Sequence, residues 1–158
     1  MGDAGERSAA RPVSDAVAIR LLGRADAAVL DRVADEVFDH AVDPRWTRAF
    51  LDDPRHHLIV AIDAGVVVGM CTALDYVHPD KAPQLWINEI GVAAAHRRRG
   101  IARRLLDAML AHGRQLGCTE AWLGTEHDNI AARALYERAG SRAEPFVLYD
   151  WRLDDAAR

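Results

Sequence analysis

The stretch LWINEIGVAAAHRRRGIARRLL, Leu85 to Leu106, decides the fold. Its first eight residues form an apolar, β-branched run broken only by Asn88 and Glu89, the pattern of a strand inside a sheet. From Gly100 onward, Ile101, Leu105, Leu106, Met109 and Leu110 recur at helical spacing, predicting an amphipathic helix that runs to a closing Gly117. Between strand and helix lie Arg97, Arg98, Arg99 and Gly100. A helix that begins straight after such a turn presents backbone N–H groups with no intrahelical partner. Those donors and the helix dipole favour an anion, phosphate above all. Gly100 lets the backbone approach closely, and the arginines add charge-assisted bonds. The arrangement suits a pyrophosphate, although neither Gly-x-x-x-x-Gly-Lys-Ser/Thr nor Gly-x-Gly-x-x-Gly occurs.

Charge separates this reading from a basic nucleic-acid patch. The 158-residue chain carries a net charge of −4 from 20 basic and 24 acidic side chains. Without Arg97, Arg98, Arg99, Arg103 and Arg104, 15 basic side chains face 24 acidic ones. A general nucleic-acid binder is more often basic throughout, so no nucleic-acid partner is expected. No apolar run approaches the roughly 20 residues of a membrane span. Residues 1–15 lack the apolar core of a signal peptide and read as a disordered leader. Cys71 and Cys118 sit in hydrophobic segments, which argues against a disulfide framework and fits a cytoplasmic protein.

The rest of the chain predicts one α+β domain over residues 16–154. Val17–Leu22 alternates as a strand. Leu30, Val33 and Val37 predict a helix from Asp26 to about His40, and Asp43–Pro44 starts a second short one. HLIVAI and VVVGMCTAL, joined by Asp63–Gly65, predict a hairpin. Thr119–Thr125 reads as a strand, Asn129–Gly140 as a helix, and Phe146–Leu153 as a final strand. The sum is a mixed, mostly antiparallel sheet of six to seven strands with about four helices.

Two segments carry a family resemblance. Arg97-x-x-Gly100-x-Ala102 resembles the Gln/Arg-x-x-Gly-x-Gly/Ala motif of the GNAT N-acetyltransferases, and Asn129-x-x-Ala132-x-x-Leu135-Tyr136-x-x-x-Gly140 resembles their second cofactor segment. The element order from Val17 to Leu153 follows the same plan, with Ser141 where the family usually has an aromatic residue. Because members of the family often dimerise, the resemblance also allows a homodimer with Phe146–Leu153 as an interface strand. The resemblance implies acetyl-CoA as cofactor, its pyrophosphate held by Arg97, Arg98, Arg99, Gly100, Ile101 and Ala102. Asn129 joins them, or caps the following helix. In the family the strand matching NEIGV splays through a bulge. Ile90, Gly91 and Val92 would then meet pantetheine and thioester, with the Val92 N–H as oxyanion donor. Gly91 fits a bulge or simply relieves crowding. The resemblance makes Tyr136 a cofactor contact and the general acid at the thioester sulfur, while helical spacing equally allows a core aromatic.

Acetyl transfer to an amine requires an unprotonated nitrogen, donors for the oxyanion and a proton for the thiolate. Strand alternation puts Trp86, Asn88 and Ile90 on one face and Ile87, Glu89 and Gly91 on the other. A carboxylate in a central strand costs several kcal/mol unless it has a partner or lines a cleft. Glu89 therefore reads as the group that binds the acceptor ammonium or removes its proton through water, with a structural carboxylate as the alternative. INEIGVAAAHRRRGIARRLL, ALYERAG and FVLYDW are similar to the aminoglycoside 3-N-acetyltransferases, which implies a polycationic aminosugar bound by Glu89, Glu126, Asp128 and Asp150. Glu instead of Asp at position 89 and the TEHDNIA segment depart from that group. Other small cationic amines, protein amines, or acyl-CoA binding without catalysis are the alternatives. Trp46 and Tyr76 overhang the acceptor cleft or pack in the core. The adjacent His56 and His57 are poorly placed to chelate one ion, so no metal is expected.

Overall fold

The computed structural model describes residues 17–153, so the expected leader lies outside the described residues. The chain forms two compact units, one ending at Gly124 and one beginning at Thr125.

In the first unit, β1 (Ala18–Leu22), β2 (His56–Asp63), β3 (Val66–Tyr76) and β4 (Gln84–Val92) pair antiparallel in chain order. Helix α2 (Ile101–Gln115) then carries the chain over to β5 (Glu120–Trp122), which lies parallel to β4. A parallel neighbour needs such a crossover. The β2–β3 hairpin closes through Ala64 and Gly65, both with positive φ (48° and 77°), as a two-residue turn matched to strand twist requires. Helix α1 (Pro44–Asp52) starts as its sequence dictates, with the Asp43 carboxylate accepting the Arg45 N–H at 2.8 Å.

Helix α2 covers one face of the sheet, with Ile101 and Leu105 packed over Gly69 and Gly113 packed over Leu85. On this face His57 bridges Asp75 (2.7 Å) and His112 of α2 (3.0 Å), tying helix to strands. The opposite face carries a core of Leu30, Val37, Leu51, Leu58, Val60, Val67 and Met70.

The structure corrects three expectations. The helix expected from Asp26 to His40 is a 3-10 helix, Arg24–Asp31, followed by irregular chain. A bulge at Val68 shifts the β2–β3 register, leaving Val67 opposite Ile62. Buried backbone groups need partners, and Val67 finds them by accepting from the Ala34 N–H and donating to the Arg32 carbonyl, which a helix there could not supply. Among the described residues the sheet has five strands rather than six or seven. Phe146–Leu153 has the right alternation but no ladder, and an unpaired strand is not a stable element. Finally, β4 is bulged at Asn88, which reverses the facing of half the strand, as detailed below.

In the second unit, α3 (Ile130–Arg138) is capped by the Asn129 side chain, which accepts the Ala132 N–H at 3.1 Å. Gly140, at φ 90°, ends the helix, and the Ser141 N–H returns to the Tyr136 carbonyl.

Candidate active site

The site is organised by the bulge in β4. Thr72 pairs with Glu89 but Ala73 pairs with Ile87, so Asn88 is the extra residue. Residues paired across strands share a face. Leu85, Ile87, Ile90 and Val92 therefore look toward α2, while Trp86, Glu89 and Gly91 look the other way with Thr72 and Met70. Uniform alternation had put Ile87 with Glu89 and Trp86 with Ile90, and the extra residue overturns that. Gly91 is not the bulge. A Cβ there would lie 2.1 Å from the Val37 carbonyl oxygen, so glycine is required by a close backbone approach.

Beyond the bulge, β4 loses its other neighbour. Pairing with β5 stops at Trp86–Trp122, and no described strand follows Ile87–Val92 on that edge. The Ala93 N–H donates to the Val68 carbonyl, so backbone alternation turns the Ile90 and Val92 amides to the open edge. The strand thus carries a carboxylate on one face and, within three residues, free amides along its margin.

The arginine turn follows directly. Arg98 (φ 59°) and Gly100 (φ 76°) both take left-handed backbone, and no atom lies within 4 Å of where a Gly100 Cβ would project. That clear approach leads to the Ile101 and Ala102 amides in the first turn of α2, which have no intrahelical acceptor. The cradle fits a diphosphate. Of the arginines expected at the cradle, Arg97 and Arg99 are engaged within the chain, as are Arg103 and Arg104 of α2. Arg97 donates to the Val92 carbonyl (3.0 Å) and to Glu36 (2.9 Å). Arg99 lies 3.9 Å from Asp63, Arg103 pairs with Asp107, and Arg104 donates to the Val17 carbonyl. Arg98 has no ion-pair partner among the described residues. Arg97 is thus a brace between β4 and the segment bearing Glu36, itself held at φ 62°.

On the Glu89 face lies a chamber of about 340 Å³. Leu30, Phe38, Val42, Trp46, Phe50, Leu51 and Leu58 make it largely apolar, and Asp39, His40, Asp43, Thr72 and Glu89 supply the polar groups. Asp43 is already committed to Arg45 and to capping α1. Asp39 and Glu89 have no cationic partner among the described residues. Burial, and next the charge of Asp39, hold the Glu89 carboxyl above the usual carboxylate range. Thr72 is buried, and its Oγ1 has no hydrogen-bond partner.

The sequence missed Asp39 and Thr72. Asp39 was absorbed into a helix that does not form, and Thr72 reads as one more residue in an apolar strand until its register with Glu89 is known. Trp46 lines the chamber. Tyr76 does not. It donates to Gln84 and accepts from Trp122, beside Trp86. Tyr136, Asn129, Glu126, Asp128 and Asp150 all belong to the second unit. There Tyr136 is half-buried on α3, Glu126 and Asp128 are exposed in the turn before it, and Asp150 is exposed in irregular chain. The acidic residue that shares the chamber with Glu89 and stays unpaired is Asp39.

Residues 27–140 match the model of the acetyltransferase (GNAT) family. The chain is 32% identical over 133 residues to L-2,4-diaminobutyric acid acetyltransferase of Streptomyces coelicolor, covering 80% of this chain and 77% of that protein. It is 28% identical over 94 residues to aminoglycoside N(6′)-acetyltransferase type 1 of Salmonella typhimurium, covering 57% of this chain and 65% of the relative. In fold it is similar to an aminoglycoside acetyltransferase from an uncultured soil metagenomic sample, with a TM-score of 0.74 at 17% identity over 90% of this chain and 99% of that one. The chain belongs to the GNAT acetyltransferase family and is an acyltransferase whose acetyl donor is acetyl-CoA.

Proposed function

We propose that the protein acetylates a primary amine of a small cation that carries more than one amine, held at Glu89. One observation carries this reading. A single bulged strand places a carboxylate in a chamber on one face and, three residues on, turns unpaired amides to its open edge. An amine at Glu89 and an acyl group along Ile90–Val92 are then neighbours, and positioning of this kind supplies much of a transfer rate.

The roles follow from the groups present. The cradle of Arg98, Gly100, Ile101 and Ala102 binds the cofactor's pyrophosphate, and Ile90 and Gly91 meet its pantetheine. When bound, acetyl-CoA supplies the activated acyl group. The Val92 N–H donates to the oxyanion that forms during attack. Glu89, with its carboxyl held high, takes the amine proton, directly or through water. The family resemblance supports Tyr136 as the acid for the departing sulfur and Asn129 as a cofactor contact. Arg97 and Arg99 serve the cradle by bracing it to Glu36 and Asp63.

Aminoglycosides, including acetylation at the 3-amino group, belong to the acceptor class. They are supported by the resemblance around Glu89 and by the likeness to aminoglycoside acetyltransferases. Glu126, Asp128 and Asp150 are then further cation contacts. Diamino compounds belong to the same class and are supported by the Streptomyces relative. The test is thiol release from acetyl-CoA with gentamicin, diamines and lysine peptides as acceptors. Turnover with the small polyamines supports the proposal. Turnover with peptides alone, or with none of them, overturns it.

A further inference from the structure

The chamber says more about the acceptor than its charge. Resting on the proposal that the amine binds at Glu89, we infer that the site is built for a short aliphatic diamine. Thr72 Oγ1 and Glu89 receive the reacting amine at the floor, and Asp39 receives the second cation at the rim.

Three observations converge. Thr72 is 92% buried by residue surface (8% exposed), yet its hydroxyl has no partner. A buried unpaired hydroxyl is costly, and a native protein keeps one where a ligand completes it. Thr72 also pairs in register with Glu89, so both side chains rise from the same floor into the same chamber. An ammonium has three N–H donors. Two meet the carboxylate and the hydroxyl, and the third faces the open space of the chamber.

The second observation is depth. Glu89 is half-buried, whereas Asp39 is exposed and lines the same space. Two unpaired carboxylates at different depths match a molecule with a cation at each end. The third is the lining, where Leu30, Phe38, Val42, Phe50, Leu51 and Leu58 outnumber the polar His40, Trp46 and Thr47. Methylene groups pack well against the apolar side chains, where most hydroxyls of an aminosugar would lose water without gaining partners. The described lining contains no lysine or arginine, so an acceptor carboxylate would lack a permanently charged counter-ion. The site therefore prefers 1,4-diaminobutane to 2,4-diaminobutyrate, and both to gentamicin.

Calorimetric binding of each amine, without acetyl-CoA, tests this independently of turnover. 1,4-Diaminobutane should bind about tenfold more tightly than butylamine. Asp39→Asn should abolish that difference. Thr72→Val should weaken both amines by about five- to tenfold, and Thr72→Ser should restore them. Melting curves for each variant exclude unfolding as the cause. Equal affinity for mono- and diamine, tight gentamicin binding, or a silent Thr72→Val would overturn the inference. Diamine binding that follows the predicted pattern without acetyl transfer would uphold this site and refute the proposed reaction instead.

Discussion

Gly91→Ala is the most direct test of how the chamber is built. The added methyl would lie 2.1 Å from the Val37 carbonyl oxygen, so about an ångström of separation must be created. The obstacle is backbone, not the end of a flexible side chain, and Val37 is itself buried in the core with Leu30, Leu58 and Met70. Overpacking a core costs about 1–3 kcal/mol, and a backbone obstacle puts this variant near the top of that range. For a chain of this length each kcal/mol lowers Tm by about 2–4 °C, giving a fall of roughly 6–12 °C. Gly100→Ala is the matched control, because its methyl meets nothing within 4 Å and its cost is only the φ of 76°. That torsional cost is about 1–2 kcal/mol. Thermal melts followed by circular dichroism should therefore rank Gly91→Ala below Gly100→Ala, and both below the parent protein. Phe38 and Asp39 adjoin Val37 and line the chamber, so Gly91→Ala should also raise the KM for the amine. A Gly91→Ala protein that melts like the parent would refute the close approach of Val37 to β4.

Glu89→Gln should lower kcat by about a hundredfold or more in the thiol-release assay. It should also melt higher than the parent at pH 7. The Glu89 carboxyl titrates above its unfolded value, so its favourable contribution is complete in acid and is lost as pH rises through the folded value. The gain should vanish below the ordinary carboxylate range, and a gain that persists there would contradict the assignment. His112 is shifted the opposite way, downward, by burial and by His57. Its contribution is present above the ordinary imidazole range and is lost as pH falls toward the folded value, so His112→Gln should flatten the decline of Tm between pH 7 and 5. An unchanged slope would remove His112 from that decline. Burial pushes the Cys71 thiol up to about 12, whereas Cys118 is only half-buried. A disulfide reagent should modify at most one thiol per native chain and both after unfolding, which counted absorbance would check.

The parts of the fold that local chemistry dictates were legible. Asp43–Pro44 starts α1, Asp63–Gly65 turns the hairpin, and Gly100 opens α2 after β4, all as the residues demand. What depends on a partner was not. Leu30, Val33 and Val37 have helical spacing, but the backbone of Val67, beside the Val68 bulge, claims Arg32 and Ala34 for a bridge. The resemblance predicts a bulge within NEIGV, and one is there, but nothing in the neighbours of Asn88 marks it as the extra residue. Only the opposing Thr72 and Ala73 define the mismatch. The same limit applied to the site. Glu89 stood out as a carboxylate in an apolar strand. Asp39 looked like one acid among several, and it reached the chamber only because residues 32–43 are irregular. Phe146–Leu153 shows the converse, since alternation alone does not make a strand.

The inward engagement of the arginines bears on how donor binding responds to ionic strength. Three of the five guanidiniums already sit beside carboxylates of their own chain, those of Glu36, Asp63 and Asp107. Mobile ions weaken attraction between exposed charges over about 8–10 Å, but they screen close-range bonds from fixed backbone donors far less. Anchoring that relies on amides at a helix mouth and one uncommitted guanidinium, Arg98, should therefore decline gently as salt is added. A polyelectrolyte-like surface with five free cations would instead lose its hold steeply. On the proposed function, the turn that looks on paper like a magnet for any polyanion acts as a short-range, shape-selective clasp.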